Sequence, residues 1–458
     1  MNNLHLNLFM ELEGKRILVV GLGRSGVAVI RFLCQQKAQV TATDTKSATE
    51  LRPALAKIHD LPVEFRLGKE HLLSYEGFDY IIPSPGVPTQ WGPLHDALKN
   101  GQKVLGEIEL AFRFLAVPIV AITGSNGKST TTVLLGEMLK ACGKDVFVGG
   151  NLGRPLIEYL LSERREGLIV AEISSFQLET IEDFRPFIGM LLNISQNHLD
   201  RYPSFRAYVE AKVRLFSNQK PDDHLILNYD DRIVCDVGGT TKAQKHYFSV
   251  CQALTRGVYF QQNRFIFLDE FGIKEEYPTV NLKLRGRHNL ENVAAAILAA
   301  KLCNCSADGI QKAMESFKGL PHRLEFVRKV DGVSYFNDSK ATSAIAAARS
   351  VAGFEQRIVL IAGGKDKGDS YEPLRQAVRG KVKQAILLGE AAGRLESILG
   401  DVVPTLRVQT LEDAVQTARI KADPGDVVLL APACSSYDMF ANFEQRGEQF
   451  RKLVNTLE

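Results

Sequence analysis

Three times along the chain, a short apolar run leads directly into a glycine-rich turn. The runs are RILVVGLGRSG at 16–26, PIVAITGSNGKST at 118–130 and RIVLIAGGKDKG at 357–368. Each run has the length of a buried strand, and the turn after it is typical of a loop that leads into a helix. The alternation of strands and helices between the runs predicts α/β domains with parallel sheets. A chain of 458 residues has room for three such units.

Two breaks in the pattern predict where the domains meet. The first lies near Gly106, ahead of a helix-like stretch that ends before Pro118. The second is the Gly-Leu-Pro at 319–321, which interrupts a helical pattern. Between 222 and 286 the pattern becomes strand-like, in HLILNYD, GVYFQQNRFIFLD and TVNLKLRG, and we predict an antiparallel excursion of the middle domain there. The predicted domains are 1–106, 107–318 and 319–458.

The composition excludes several classes of protein. Hydrophobic residues make up 45% of the chain, which is too many for a disordered protein. The chain has 56 Lys and Arg against 53 Asp and Glu, a balance that argues against a nucleic-acid or membrane-surface binder. Arg113, Pro118 and Thr123 interrupt the most hydrophobic stretch, so we predict no membrane insertion.

The N-terminus and the cysteines indicate a cytoplasmic protein. The opening segment has no Lys or Arg before Lys15 and carries two glutamates, unlike a secretory signal. The seven cysteines are scattered without a CxxC pair, and Cys303 and Cys305 are too few for a four-ligand zinc site. We therefore predict reduced thiols in a cytosol.

The strongest chemical signal is the glycine-rich loop of the second run. Its backbone N–H groups and the N-terminus of the following helix would point at phosphate oxygens. Lys128 can reach the β- and γ-phosphates, and the Ser129 hydroxyl can bind Mg²⁺. Ile122 stands where the general phosphate-binding pattern has a glycine, and an ordinary strand–helix turn is the alternative. The residues predicted to bind the nucleotide are Gly124, Ser125, Asn126, Gly127, Lys128, Ser129 and Thr130.

The first run carries a second phosphate-binding pattern. GLGRSG at 21–26 follows a strand and precedes a helix, and the next strand ends at Asp44, close to where an acid that binds a ribose would lie. Taken alone, the pattern favours a nicotinamide or flavin dinucleotide, but it shows only that a diphosphate can approach. A glycine turn for tight helix–strand packing is the alternative.

A third group of residues lies in the middle domain. Glu172 ends an apolar run, His198 and Asp200 lie in NISQNHLDRYP, and Lys212 lies in YVEAK. A carboxylate at the carboxyl end of a parallel strand, together with an imidazole, suits a divalent cation beside a nucleotide. A structural histidine, a helix-capping glutamate and an exposed lysine paired with Glu210 are the alternatives.

Seven motifs in a fixed order resemble the Mur ligase family of bacterial peptidoglycan synthesis. The motifs are TGSNGKST, GNLG, AEISSFQLE, NHLDRYP, GLPHR, NDSKAT and PACSSYDMF. They span nearly the whole chain, and the last three with SSFQLE are more specific than either glycine loop. The resemblance implies three α/β domains: a Rossmann-like N-terminal domain, a central P-loop ATPase-like domain and a C-terminal Rossmann-like domain.

The resemblance also implies an activity. The implied reaction is ATP-dependent ligation of D-glutamate to UDP-N-acetylmuramoyl-L-alanine through an acyl phosphate, with ADP and phosphate released. The N-terminal domain would then hold a uridine diphosphate and no redox cofactor. The family uses two Mg²⁺ ions, and Lys212 matches a lysine that becomes carbamylated and so gains a carboxylate. A monomer is expected.

The resemblance assigns residues to each part of the site. The implied catalytic residues are Lys128, Glu172, His198 and Lys212, and the metal site would comprise Ser129, Glu172, His198 and carbamylated Lys212. Arg323 and Asp338 would add to the ATP site. The UDP-substrate would contact Arg24, Ser25, Asp44, Thr45, Ser84, Gly86, Asn151, Ser174, Gln177 and His198. D-glutamate would contact Lys340, Thr342, Lys367, Ser436 and Phe443, with Lys365 as the alternative to Lys367.

Other functions are compatible with parts of the sequence. Sister ligases add L-alanine, a diamino acid or D-Ala-D-Ala, or glutamylate folate, but no Asp-Asn-Pro stretch of a diamino-acid ligase occurs in the chain. A nicotinamide-dependent oxidoreductase would leave GSNGKST without a role. A non-catalytic nucleotide sensor would bind ATP without turnover that depends on an amino acid.

Overall fold

The computed structural model describes residues 10–69, 74–90, 92–162, 164, 166–196, 201–284, 286–368 and 370–457. The chain divides into two compact units, Met1–Asn281 with Leu290–Ser316, and Leu282–Asn289 with Phe317–Glu458. The predicted α/β fold with parallel sheets is confirmed. The three domain ranges stay a prediction. No helix among the described residues is long and apolar enough to cross a membrane.

The first unit begins with a four-stranded parallel sheet in the order β3-β2-β1-β4. Its strands are β1 (Arg16–Val20), β2 (Gln39–Asp44), β3 (Val63–Leu67) and β4 (Tyr80–Pro83), and its helices are α1 (Arg24–Gln35), α2 (Arg52–Leu55), α3 (Pro93–Lys99) and α4 (Glu107–Phe112). The last glycine of GLGRSG allows the chain to turn tightly from β1 into α1. A Cβ on Gly26 would lie 1.9 Å from the Gly21 carbonyl oxygen.

The same unit continues with a nine-stranded sheet in the order β13-β12-β11-β10-β9-β8-β5-β7-β6. Its strands are β5 (Ile119–Thr123), β6 (Val146–Gly150), β7 (Leu168–Glu172), β8 (Ile188–Leu191), β9 (His224–Asn228), β10 (Gln244–Ser249), β11 (Gly257–Gln261), β12 (Arg264–Leu268) and β13 (Lys274–Pro278). The strands from β5 to β11 are parallel, and β5 and β7 are buried along their whole length. The predicted antiparallel excursion is restricted to β11, β12 and β13.

The prediction of a strand in TVNLKLRG at 279–286 was wrong. The last strand of the excursion is β13, whose Lys274 pairs with Leu268 and whose Pro278 pairs with Arg264. Thr279 then donates its backbone N–H to the Asn263 carbonyl oxygen at 3.1 Å, where the hairpin ends. The described part of the segment after it forms a turn and loop.

Helices flank the central sheet. They are α5 (Lys128–Ala141), α6 (Ser175–Leu178), α7 (Phe205–Val213), α8 (Arg232–Gly238), α9 (Arg287–Leu302) and α10 (Ala307–Ser316), with 3₁₀ turns at Leu156–Tyr159 and Arg214–Phe216. The first residues of α9 belong to the second unit. Because β5 leads directly into the loop before α5, the sheet carries the nucleotide loop at the carboxyl ends of its parallel strands.

The second unit holds a six-stranded sheet in the order β14-β15-β19-β16-β17-β18. Its strands are β14 (Glu325–Val330), β15 (Val333–Asn337), β16 (Ile358–Gly363), β17 (Val382–Leu388), β18 (Thr405–Arg407) and β19 (Val427–Leu430), and its helices are α11 (Ala344–Ala352), α12 (Glu372–Val378), α13 (Ala392–Leu399), α14 (Leu411–Lys421) and α15 (Phe443–Asn455). Only β14 runs antiparallel to its neighbour. The motifs NDSKAT, GGKDKG and PACSS therefore follow β15, β16 and β19 at one edge of the sheet.

A buried carboxyl group in the first unit makes stability depend on pH. Glu107 accepts a hydrogen bond from the Ile157 backbone N–H at 2.7 Å, and its Oε2 is buried with no hydrogen-bond partner among the described residues. Burial raises the pKa of Glu107 to about 7, against the lowering effect of the N–H groups of Ile157 and Leu156. The folded state therefore binds a proton that the unfolded chain releases above its own pKa of 4.5.

We expect Glu107→Gln to stabilise the protein at neutral and higher pH. The stability that the protonated carboxyl provides is fully present below pH 4.5 and is lost as the pH rises through about 7. Glutamine stays neutral, so its advantage should grow across that window to about 3 kcal/mol. Urea unfolding between pH 5 and 8 measures it, with the exposed Glu137→Gln as control. A gain that does not change with pH would contradict the assignment.

Candidate active site

The loop between β5 and α5 has the geometry of a phosphate-binding turn. Gly127 has φ +82°, and a Cβ at this position would lie 2.1 Å from the Asn292 side-chain oxygen, so only glycine fits. The helix then begins at Lys128, and the predicted Ser129 and Thr130 are buried in its first turn. The N-terminal N–H groups of α5 thus follow the loop directly, as phosphate binding requires.

Hydrogen bonds from the segment after β8 brace this loop. The Ser125 hydroxyl donates to the Ser195 carbonyl oxygen at 3.0 Å, and the Asn126 backbone N–H donates to the Asn193 side-chain oxygen at 2.9 Å. The Tyr208 hydroxyl lies 3.0 Å from the Ser125 hydroxyl. Sequence reasoning had missed Asn193, Ser195 and Tyr208, although Asn193 and Ser195 lie in the NISQNHLDRYP segment that was singled out for His198.

Lys128 and Lys212 converge on the same carbonyl group. Lys128 Nζ donates to the carbonyl oxygens of Gly124 at 2.9 Å and Ser125 at 3.2 Å. Lys212 Nζ donates to the Gly124 carbonyl oxygen at 2.9 Å, and it lies 4.8 Å from the centroid of the Tyr208 ring. Two lysines that sequence reasoning assigned to one site therefore do lie together.

The alternative of an exposed Lys212 was wrong. Its side chain is 1% exposed, whereas Glu210 faces solvent and pairs with Arg206 at 2.8 Å. Burial, then the charge of Lys128, lowers the pKa of Lys212 well below its ordinary value, and Glu172 opposes this shift. Both effects disfavour the charged form of the Lys212 amine.

Glu172 ends β7 beside the loop and is 3% exposed. Its Oε1 accepts a hydrogen bond from the Asn151 side-chain amide at 2.7 Å, and the Asn151 backbone N–H donates to the Glu172 carbonyl oxygen at 2.7 Å. Its Oε2 is buried without a hydrogen-bond partner in the described part of the chain. Asn151, which the sequence assigned to substrate binding, therefore orients this carboxylate.

The donor set beside the loop fits a divalent cation. The buried Glu172 Oε2 without a hydrogen-bond partner and the Ser129 hydroxyl at the start of α5 are both hard oxygen ligands of the kind that Mg²⁺ prefers. No cluster of three or more His, Cys, Asp or Glu occurs among the residues that the structure describes. His198, predicted both as a metal ligand and as a substrate contact, lies outside those residues.

The predicted UDP site gathers at the carboxyl ends of β1, β2 and β4. Asp44 accepts the backbone N–H of Leu22 at 2.7 Å and that of Lys46 at 2.9 Å, so its carboxylate shapes the loop. The Ser84 hydroxyl donates to the Gly21 carbonyl oxygen at 2.9 Å. The remaining predicted residues lie beside them: Arg24 donates to the Gly153 carbonyl oxygen, Ser25 lies in the first turn of α1, and Thr45 and Gly86 are exposed.

Ser174 and Gln177 already bind each other. The Ser174 hydroxyl accepts the Gln177 backbone N–H at 3.3 Å, and the Gln177 side-chain oxygen accepts the Ser174 backbone N–H at 3.0 Å. This capping box begins α6. The substrate contacts of these two residues stay a prediction. Part of the motif SSFQLE is explained locally, because its Ser174 and Gln177 cap the start of α6.

The second unit places two residues of the predicted amino-acid site, Lys340 and Phe443, in contact. Lys340 Nζ lies 3.9 Å from the centroid of the Phe443 ring, and the Thr342 backbone N–H donates to the Lys340 carbonyl oxygen at 2.8 Å. Ser436 is buried in the loop after β19. The Lys365 backbone N–H donates to the Ser435 carbonyl oxygen at 2.9 Å, and Lys367 lies two residues further along; both residues are exposed. This pairing puts the backbone of Lys365, rather than that of Lys367, beside the loop that carries Ser436.

Asp338 lies in the same unit, directly after β15. It accepts hydrogen bonds from the Ser350 hydroxyl and, at 3.3 Å, from the Leu324 backbone N–H. Burial raises its pKa to about 6, although these donors and the charge of the predicted Arg323 lower it. Arg323 is half-buried. In this unit, Asp338 therefore fixes the loop that carries Arg323.

Arg446, which sequence reasoning had missed, joins the three loops of the amino-acid site. It lies in α15 and is 3% exposed. Its guanidinium donates to the Ser339 hydroxyl and carbonyl, both at 3.0 Å, to Cys434 at 3.1 Å, to Ser435 at 3.3 Å and to Gly363 at 3.4 Å. These acceptors belong to NDSKAT, PACSS and the strand before GGKDKG. Burial lowers the pKa of Arg446 to about 10.

We expect Arg446→Met to loosen all three loops together. The variant leaves several buried carbonyl oxygens without donors, which should cost about 3 kcal/mol of local stability. Hydrogen exchange of the segments 337–342, 363–368 and 432–436 measures the loss. Arg451→Met, on the same helix but 42% exposed, is the control. Protection equal to that of the wild type in these segments would refute the role.

The loop of β5 and α5, with two lysines and one buried carboxylate, is the arrangement of a P-loop protein that binds a nucleoside triphosphate. Comparison with known proteins identifies the family within this class. Three domain families match the chain: the Mur ligase MurD-like N-terminal domain over 15–106, the Mur ligase middle domain over 122–300, and the Mur ligase glutamate ligase domain over 322–434. The chain belongs to the Mur ligase family, as the motifs predicted.

Individual relatives cover nearly the whole chain. The UDP-N-acetylmuramoylalanine--D-glutamate ligase of Geobacter sp. (strain M21) is 46% identical over 97% of this chain and 98% of its own length. The ligase of the same name from Geotalea uraniireducens (strain Rf4) is 46% identical over 98% of this chain and 99% of its own. A crystal structure of UDP-N-acetylmuramate-alanine ligase from Thermotoga maritima, at 17% identity, covers 96% of this chain and 99% of its own with a TM-score of 0.61, and so has the same fold.

Proposed function

We propose that this chain is an ATP-dependent ligase that joins D-glutamate to UDP-N-acetylmuramoyl-L-alanine in peptidoglycan-precursor synthesis. The observation that carries the proposal is the 46% identity to ligases of that name over almost the full length of both chains. The site supports the proposal, because it combines a nucleotide loop, two lysines that share a carbonyl acceptor, and a buried carboxylate oxygen without a hydrogen-bond partner. These are groups that position phosphates and neutralise their charge in phosphoryl transfer. The protein acts as a monomer in the cytoplasm.

The reaction has two steps. The alanyl carboxylate attacks the γ-phosphorus of ATP, and ADP leaves, which gives an acyl phosphate. The amine of D-glutamate then attacks the acyl carbon, and phosphate leaves with the formation of the amide. Phosphoryl transfer depends mainly on positioning and on neutralisation of charge. Lys128 would leave its carbonyl acceptors to contact the β- and γ-phosphates, while the N–H groups at the start of α5 hold the phosphates in place.

Mg²⁺, when bound, neutralises charge on the phosphate oxygens. Ser129 and Glu172 would hold one ion, and Asn151 keeps the Glu172 carboxylate in its orientation. A second ion needs a further carboxylate. The neutral amine of Lys212 can add carbon dioxide, with loss of a proton, to give a carbamate that supplies it. His198 completes the proposed set of ligands.

The other assignments are those that the family resemblance implies. The loop of Arg24 and Ser25, shaped by Asp44 and Ser84, takes the uridine diphosphate, with Thr45 and Gly86 at its rim. Asn151, Ser174, Gln177 and His198 contact the sugar. Arg323 and Asp338 contact ATP from their own unit. The two carboxylates of D-glutamate need cations, and Lys340 with Lys365 or Lys367 provides them, beside Thr342, Ser436 and Phe443.

Phosphate release tests the proposal. Purified protein is incubated with ATP, Mg²⁺ and UDP-N-acetylmuramoyl-L-alanine across a panel of amino acids. We expect release that requires D-glutamate and a product heavier by one glutamyl residue. Release with a different amino acid would make the protein a sister ligase. NADH formation, or ATP binding without any release, would reject the ligase activity.

A further inference from the structure

A cavity lies in the N-terminal part of the first unit, in addition to the candidate active site described above. Its volume is about 570 Å³, within the range of small-molecule sites. Arg16 and Gln39, the first residues of β1 and β2, line it, so it opens at the amino ends of these parallel strands. The Gly21 loop and Asp44 follow the carboxyl ends of the same two strands. The cavity is therefore separate from the proposed UDP site.

The cavity gathers positive charge around one aromatic ring. The guanidinium carbons of Arg16 and Arg66 lie 5.6 Å and 5.4 Å from the centroid of the Phe78 ring. Both distances are within the cation–π range, so one ring holds two like charges close together. Lys37 lines the same cavity. Mutual repulsion of these groups falls when an anion binds between them.

The negative groups of the cavity are fewer. Among the described residues, Glu64 is the one carboxylate that lines the cavity. It pairs with Arg66 at 3.0 Å and accepts a hydrogen bond from the Thr41 hydroxyl at 3.3 Å. Lys37 pairs with Glu13 at 3.2 Å, but both side chains are about 70% exposed, so water and salt weaken this pair. The Arg16 guanidinium makes no ion pair within the described parts of the chain. Among the described lining residues, three cations thus face one carboxylate and the negative end of α1, while Glu13 and Asp79, which accepts the Arg16 backbone N–H at 2.8 Å, act from outside the lining.

We infer that this cavity binds a small organic phosphate. Arginine recognises phosphate oxygens through paired N–H donors, and the two guanidinium groups already lie near one ring. The hydroxyl of Thr41 and the amide of Gln39 add uncharged polar groups, while Val40 and Pro62 offer an apolar wall for the rest of the ligand. The balance of charged and apolar lining favours a phosphate ester over a bare inorganic ion.

Cys34 provides a local reporter, because it lines this cavity and is half-buried. Pyrophosphate is the probe, and the rate of Cys34 alkylation by iodoacetamide is measured by peptide mass spectrometry. At about ten times the dissociation constant, the rate should fall about tenfold, since only unoccupied molecules react. Exposed Cys251, outside the cavity, is the internal control and should react at an unchanged rate. Phosphate binding at the nucleotide loop leaves this readout unaffected.

Substitutions distinguish a built site from general screening. Arg16→Gln with Arg66→Gln should abolish the protection of Cys34, and Arg232→Gln, 94% exposed elsewhere, should leave it intact. If the double variant unfolds, the exposed Lys37→Gln replaces it and should weaken protection. A glycerol phosphate should protect at lower concentration than inorganic phosphate. Protection that persists without the arginines, or its absence in the wild type, would overturn the inference.

Discussion

Lys128→Ala should stop phosphate release almost completely, by about a thousandfold or more, while the UDP-substrate still binds. The lysine lies on the nucleotide loop, and the proposed UDP site lies at the ends of other strands in a different sheet. Its removal takes away a positive charge that no neighbour replaces, because Lys212 is buried beneath the loop and is held by the Gly124 carbonyl. Calorimetry with the UDP-substrate separates binding from turnover.

Lys140→Ala is the matched control for Lys128→Ala. It removes a lysine from the same helix, but one that is 51% exposed and pairs with Glu137. We expect wild-type phosphate release from this control. The Lys128 variant has a second readout: since the charge of Lys128 lowers the pKa of Lys212, this pKa should rise in the variant. Near-normal release by Lys128→Ala would remove the nucleotide loop from the mechanism.

Lys212→Ala should lower phosphate release about a hundredfold or more, and short carboxylic acids should restore part of it. The substitution leaves a space beneath the loop, bounded by the Tyr208 ring and the Gly124 carbonyl. Formate or acetate can enter that space and supply the carboxylate that a carbamate would have supplied. Release measured against acid concentration should rise and then saturate.

Glu210→Ala controls for the loss of a side chain from the same helix. Glu210 is exposed and pairs with Arg206, so this variant should behave like the wild type with or without acid. If no added carboxylic acid restores phosphate release to Lys212→Ala, the unmodified amine of Lys212 is required and the carbamate is not. Activity equal to the wild type would leave Lys212 a purely structural residue.

The sequence predicted those parts of the protein that local patterns control. Apolar runs of strand length and the glycine-rich turns after them predicted the three sheets and the nucleotide loop, because both depend on adjacent residues. The predicted end of the antiparallel excursion was wrong. TVNLKLRG alternates between apolar and polar residues like a strand, but the pairing of the hairpin already ends at Pro278. The alternation of apolar and polar residues is a property of one segment, whereas the end of a hairpin depends on how that segment pairs with the neighbouring strand.

The unpredicted parts of the site depend on tertiary contacts. Arg446 stands in an ordinary amphipathic helix, and only the convergence of three distant loops shows why it is buried. Asn151 was assigned to the substrate, yet its side chain holds Glu172, 21 residues away. The burial of Lys212 likewise follows from how α7 packs beneath the loop. No spacing in the sequence encodes these relations.

The hairpin at the end of the nine-stranded sheet also affects how readily protein molecules pair through their sheet edges. β13 is the outermost strand at that end of the described sheet, and open strand edges invite pairing between molecules. Its Glu276 forms ion pairs with Lys274 and Arg264, each at 2.6 Å, so the rim of the sheet carries paired charges. A strand from another molecule would have to bury these charges before it could pair, which is costly. This ionic rim therefore opposes edge-to-edge pairing of the sheet that carries the nucleotide loop.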